Sequence, residues 1–161
     1  MLVTFDKLDE ISTGLVRYYS IKIGFQEFTE FEMFDNKDFP LHIKENQFIV
    51  NVINEMQNRG AKSYYFVNEA SAEYLPKVSQ AIKEANKEDY GLRLYCKRLR
   101  DDIVVLFNGD IKTKNNPIDC DNVKLHFLRA IKIGLLLDKA IFNKDIDLDE
   151  QDPFEDFELD I

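Results

Sequence analysis

The sequence predicts an α+β fold, a small antiparallel sheet packed against helices, with an additional C-terminal helix and an acidic tail. Three observations predict it: aromatic and β-branched residues alternate from residue 17 towards 34; apolar residues recur at helical spacing over 44–58 and 121–142; and two adjacent runs, LRLYCKRL and DIVVLFNGD, are joined by a short charged link. With 161 residues and 45% apolar content, including 13 Phe, the chain can fill one core and has no room for a second large domain.

The opening MLVTFDKLDEISTG mixes apolar and charged positions without a clean period and receives no assignment. In RYYSIKIGFQEFTEFEMF, Tyr19, Ile21 and Ile23 share one face, and Phe25, Phe28 and Phe31 follow the break at Gly24, which predicts a strand or hairpin ended by DNKDFP. Phe48, Ile49, Val52, Ile53 and Met56 predict a helix, with Gly60 as the residue after it. A further helix is expected from about 70 to 86, capped by Asn68 or Ser71, with Tyr74, Val78, Ala81, Ile82 and Ala85 on one side and a late start or kink at Pro76.

Leu92, Leu94 and Cys96 oppose Arg93, Tyr95, Lys97 and Arg98, as in a half-buried strand. The nearly all-apolar run after it reads as a central strand or hairpin arm, reached through Arg100-Asp101-Asp102 and closed by a turn at Asn108-Gly109-Asp110. The last helix carries Val123, Phe127, Ala130, Ile131, Gly134, Leu135 and Ile141 on its period, widened by Leu128, Leu136 and Leu137. Asp119 or Asp121 is the expected N-cap. So wide a stripe predicts packing on more than one side, against the sheet and a partner subunit.

Charge divides the chain. Nine acidic groups and no Lys or Arg lie in residues 145–161, equal to the whole net charge of −9, so residues 1–144 balance 21 basic against 21 acidic side chains. We therefore read 1–144 as a single α+β domain and 145–161 as an acidic, flexible tail. No signal-peptide pattern and no long apolar run is visible, so the expectation is a soluble cytoplasmic protein without a membrane partner. Cys96 and Cys120 read as free thiols, and no metal-ligand spacing or cofactor motif is present.

Within the neutral body, residues 91–117 concentrate Arg93, Lys97, Arg98, Arg100, Lys112 and Lys114. The text RLYCKRLRDDIVVLFNGDIKTKNNP and the order of elements around it resemble the small ribonuclease toxins of the RelE and HigB type, with their phage-derived relatives, over about residues 25–120. In that resemblance Arg93 falls on the family's strand arginine, Lys112 and Lys114 near its lysine pair, and Pro117 where the pattern often has proline. The chain departs from the family in its length, its long last helix, its acidic end, Ile111 in place of a phenylalanine, and Thr113 between the lysines.

The resemblance implies a RelE-like sheet and a metal-independent endoribonuclease, active or degenerate, in which a 2′-hydroxyl attacks the adjacent phosphate. Arg93 and Lys112 would stabilise the transition state, Tyr95 would stack on a base or pass a proton, and His126 would serve as acid or base. Lys97, Arg98 and Lys114 would hold flanking RNA. Partners would be RNA or the ribosome, and an antitoxin. Each residue also has a structural reading: cations on the polar face of a strand usually meet solvent or carboxylates, and a histidine on an apolar helix usually serves packing.

The other functional class is a non-enzymatic interaction module of phage or mobile-element origin. It would use the hydrophobic last helix for a homodimer or hetero-complex and the acidic end for a basic protein. The first class predicts a basic patch of Arg93, Lys97 and Lys112 on an open sheet face; the second predicts exposed apolar surface on 123–142 and cations scattered by the fold. The tail suggests one more device, in which Phe154, Phe157 and Leu159 anchor it while its carboxylates cover the basic groove.

Overall fold

A computed structural model describes residues 1–77 and 90–161. Seven strands form one sheet in the order β3-β4-β5-β6-β2-β1-β7: β1 Leu2–Lys7, β2 Arg17–Ile23, β3 Val67–Glu69, β4 Ala72–Leu75, β5 Gly91–Arg100, β6 Ile103–Lys112 and β7 Leu159–Asp160. Among the described residues three α-helices pack on it: α1 Glu30–Asp35, α2 Ile43–Arg59 and α3 Lys124–Phe142. The architecture is α+β as expected, but the sheet is mixed. β2 runs parallel to β6, with Arg17 opposite Ile103 and Ser20 opposite Leu106, and the other neighbours are antiparallel.

Alternation along the central strands supplies two cores. Leu92, Leu94, Cys96, Val104 and Leu106 meet Phe34, Ile49, Ile53 and Met56 of α1 and α2. Tyr95, Ile103, Val105 and Phe107 meet Phe127, Ala130, Ile133 and Leu137 of α3 on the opposite face. β5 is thus buried on both sides, and the open sheet face needed for a broad basic patch is covered by α3.

Several local expectations are corrected. The unassigned opening is β1. After Gly24, at φ 63°, the text expected to continue as strand becomes α1, because Thr29 and Glu32 close a reciprocal capping box. The part of the expected 70–86 helix that is described is instead the β3–β4 hairpin, turned at Ala70 with φ 53°; β4 ends before Pro76, and the rest of that expectation lies outside the described residues.

Asn108-Gly109-Asp110 is not a turn but part of β6, opposite Arg93 and Leu94. A side chain at Gly109 would collide with the Arg93 carbonyl, so glycine here admits a close approach of two backbones. α3 begins at Lys124 after Val123, with no side-chain cap from Asp119 or Asp121.

Residues 145–161, expected as a flexible tail, run back across the molecule. Phe154 is 3% exposed, stacked on Phe5 at 4.6 Å and edge-on to Tyr19 at 4.7 Å, with Phe157 beside it. Ile146 is buried in the same core, and Leu159 pairs with Val3 to add β7 to the sheet.

Candidate functional site

Three of the four expected catalytic residues come together. Arg93 and Tyr95 project from β5 toward the α3 side, and Lys112 ends the neighbouring strand. What gathers them is Glu69, the last residue of β3. Its Oε1 accepts from the Tyr95 hydroxyl at 2.7 Å and its Oε2 from Lys112 Nζ at 2.6 Å. The Arg93 guanidinium lies 4.1 Å over the Tyr74 ring, its Nη1 donating to the Leu92 carbonyl, while Nε is buried without a hydrogen-bond partner.

The same burial limits what this centre offers a large ligand. Tyr95 is wholly buried and Lys112 nearly so. Burial, then the hydrogen bond to Glu69, drives the Tyr95 phenol far above its ordinary pKa, so it stays a proton donor to Glu69 at neutral pH. Lys112 is neutralised by Glu69 rather than displayed.

The remaining cations are dispersed. Lys97 binds Asp138 of α3 at 2.9 Å, and its aliphatic stem runs past Gly134. Arg98 donates through Nε to the Ala61 carbonyl at 2.6 Å and pairs with Asp101, which also binds Lys62. Lys114 is exposed in the loop after β6. Lys97, Arg98 and Lys114 therefore do not line one surface with Lys112.

His126 belongs to a second polar centre, which the sequence reading missed. β2 and β6 part beyond Ser20 and Leu106, and α1 enters the gap, its Phe31 N–H donating to the Ser20 hydroxyl. Glu30, buried at the start of α1, accepts from Asn108 Nδ2 and Gln26 Nε2 at 2.9 Å each and faces Arg129 at 3.6 Å. Lys37 Nζ donates to Asn108 Oδ1 at 3.0 Å and the Gly109 carbonyl at 2.8 Å, with Asp110 at 3.8 Å.

Burial lowers the Lys37 pKa against the opposing pull of Asp110 and Glu30. Burial, and then the Lys37 and Arg129 cations, hold His126 down at about 4, with its buried Nδ1 lacking a hydrogen-bond partner. His126 is thus a neutral imidazole at pH 7, in a different place from Arg93 and Lys112. The legible signal for this centre was Asn108, an amide that directly follows the apolar run Ile103–Phe107.

A third buried pair was also passed over: His42 Nδ1 and Glu45 Oε1 are 2.7 Å apart, and Glu45 Oε2 accepts from the Leu92 N–H at 2.9 Å, tying α2 to β5. Among the described residues no group of three or more His, Cys, Asp or Glu side chains is placed to hold a metal, and no helix is long and apolar enough to cross a membrane.

The tail does not cover the Arg93–Lys112 centre. Asp149 pairs with Arg100 at 2.6 Å, Asp152 accepts from the Tyr19 hydroxyl, and the carbonyls of Leu148 and Glu150 accept from Arg100 and Arg17.

The outer side of α3 displays a run of exposed large apolar side chains. Leu125, Leu128, Leu135 and Phe142 are 54%, 42%, 56% and 86% exposed, in one line along the helix. Exposed Lys132 and Lys139 complete that line, and Lys124 stands at its start. No family model, no curated protein and no solved structure matches this chain.

Proposed function

We propose that this chain is a protein–protein interaction module whose contact surface is the outer face of α3. The observation that carries the reading is the line of four exposed large apolar side chains on a helix whose other face is already buried in the core. The fate of the cations agrees with it, since Lys97, Arg98 and Lys112 are engaged within the molecule.

Affinity capture from cells producing the full chain, comparing wild type with Leu128→Glu/Leu135→Glu, tests the reading. A partner recovered at equal stoichiometry, rebinding in purified form and lost with the double variant, supports it. The same proteins on both baits would refute it.

A second reading, the toxin-type endoribonuclease, draws support from the convergence of Arg93, Tyr95 and Lys112 on Glu69. There Arg93 and Lys112 would balance charge on the phosphorane, with Glu69 exchanging a proton with the attacking hydroxyl. Cleavage of mixed-sequence RNA and of translating mRNA, abolished by Arg93→Ala in a folded protein, is its test. RNA left intact by both proteins would remove it.

A further inference from the structure

The chemistry of the α3 line specifies its occupant. Residues 125, 128, 132, 135, 139 and 142 advance by alternating steps of three and four, the 3.5-residue repeat of a helix that receives another helix along a narrow seam. The seam is ~26 Å long at 1.5 Å per residue. Read along it, the side chains are Leu, Leu, Lys, Leu, Lys and Phe. Of the charged groups on α3, Arg129 faces Glu30 and Asp138 is held by Lys97, so the seam itself presents Lys132, which also acts on Asp160 of the same chain, and Lys139, with Lys124 at its start. A basic seam thus lies on a chain of net charge −9.

A second copy of the chain is a poor fit. Antiparallel pairing about the seam's midpoint sets residue 125 against 142, 128 against 139 and 132 against 135, so both lysines of each helix meet leucines. Parallel pairing sets Lys132 on Lys132 and Lys139 on Lys139. In neither case does a free carboxylate meet an ammonium group being taken out of water, which is costly. The acidic tail of a second copy is no substitute, because Phe154 and β7 fix it to its own body. An anionic membrane surface would be repelled by the chain's net charge, and a two-in-seven seam is narrower than a surface-lying helix presents.

We infer that the seam takes an acidic amphipathic helix from another protein, one with a leucine-type heptad stripe and Glu or Asp opposite Lys132 and Lys139. This rests on the interaction-module reading and adds the partner's chemistry. Helix-in-groove recognition supplies the apolar anchors, and charge complementarity sets specificity and encounter rate.

The test uses the full chain and two synthetic helical peptides sharing one leucine seam, one with Glu and the other with Lys at the facing positions, titrated by fluorescence anisotropy. Vesicles of anionic phospholipid and sedimentation velocity of the protein alone complete the set. The wild type should bind the acidic peptide at least ~10-fold more tightly than the basic one, a gap that narrows with salt. Lys132→Glu/Lys139→Glu should reverse the preference, and Leu128→Glu/Leu135→Glu should weaken both peptides, with unfolding midpoints near wild type as the folding control.

Equal binding of both peptides, lost in the leucine variant, would overturn the acidic assignment and leave the interaction face standing. Self-association lost in the leucine variant would do the same in favour of a second copy. Binding to vesicles alone, or to nothing with the protein monomeric, would overturn the inference and the interaction reading together.

Discussion

The acidic end and the apolar helix exchange the places that their compositions suggest. Residues 145–161 hold nine carboxylates and are packed down, whereas α3, the most apolar long segment, leaves large hydrophobic side chains in water. What decides is the position of a few side chains. Phe154, Phe157 and Leu159 all reach the core beside β1, so three anchors hold a segment whose carboxylates remain at the surface. On α3 the residues facing the sheet, Phe127, Ala130, Ile133 and Leu137, complete the core, and the leucines on the other side have nothing left to bury against. Mean composition predicts neither outcome.

The contrast breaks most directly at Phe154. Phe154→Ala should remove about 3–5 kcal/mol of stability in urea unfolding, the range for a truncated core aromatic. A loss below about 1 kcal/mol would mean that the tail is not held as described. It also follows that deleting residues 145–161 is a core mutation, so a gain of RNA affinity on truncation would not report an autoinhibitory tail.

Glu69→Ala sharpens the contrast from the polar side. It leaves the buried Lys112 ammonium without its carboxylate and the Tyr95 hydroxyl without its acceptor, and should cost about 3 kcal/mol. Equal stability of variant and wild type would show that solvent replaces Glu69.

His126 adds a pH dependence on α3 itself. Its pKa falls from 6.5 to about 4 on folding, so above 6.5 both states are neutral and it contributes no slope. As pH falls from 6.5 toward 4 the unfolded chain takes up a proton that the folded chain refuses, and stability is lost. His126→Asn should flatten that part of the profile, measured as the wild-type minus variant difference in unfolding free energy. A difference that does not vary across this window would contradict the burial of the ring.

The smallest effect belongs to the exposed seam. Leu135→Gln should change stability by no more than about 0.5 kcal/mol, because its side chain has no core contacts to lose. A larger loss would place that leucine in an intramolecular contact.

The sequence made some of this legible. α2 was readable because Ile49, Ile53 and Met56 keep a helical period up to Gly60, and β5–β6 because long alternating and apolar runs are separated by two acids. The β3–β4 hairpin was not, since strands of three and four residues are too short to display a period, and Tyr74 matched a helix by chance. α1 was obscured by aromatic residues that mimic strand alternation, although the Thr29–Glu32 box was in view.

At the site, alternation along β5 brought Arg93 and Tyr95 to one face, and Lys112 followed from pairing with β6. Glu69 could not be found the same way, because it reaches them through two strand pairings across the sheet. His126 was misplaced because the element order does not reveal that α1 wedges between parallel strands.

That parallel pairing has a consequence for synthesis on the ribosome. β1 and β2 are made before β6, so β2 finds its second sheet neighbour only when residues 103–106 appear, and Phe5 meets Phe154 149 residues after itself. The β1–β2 hairpin must therefore wait, its apolar face unsealed, while β5–β6 closes locally in its own time. Until residues 145–161 have followed, this hairpin keeps apolar surface that Phe154 and β7 later shield.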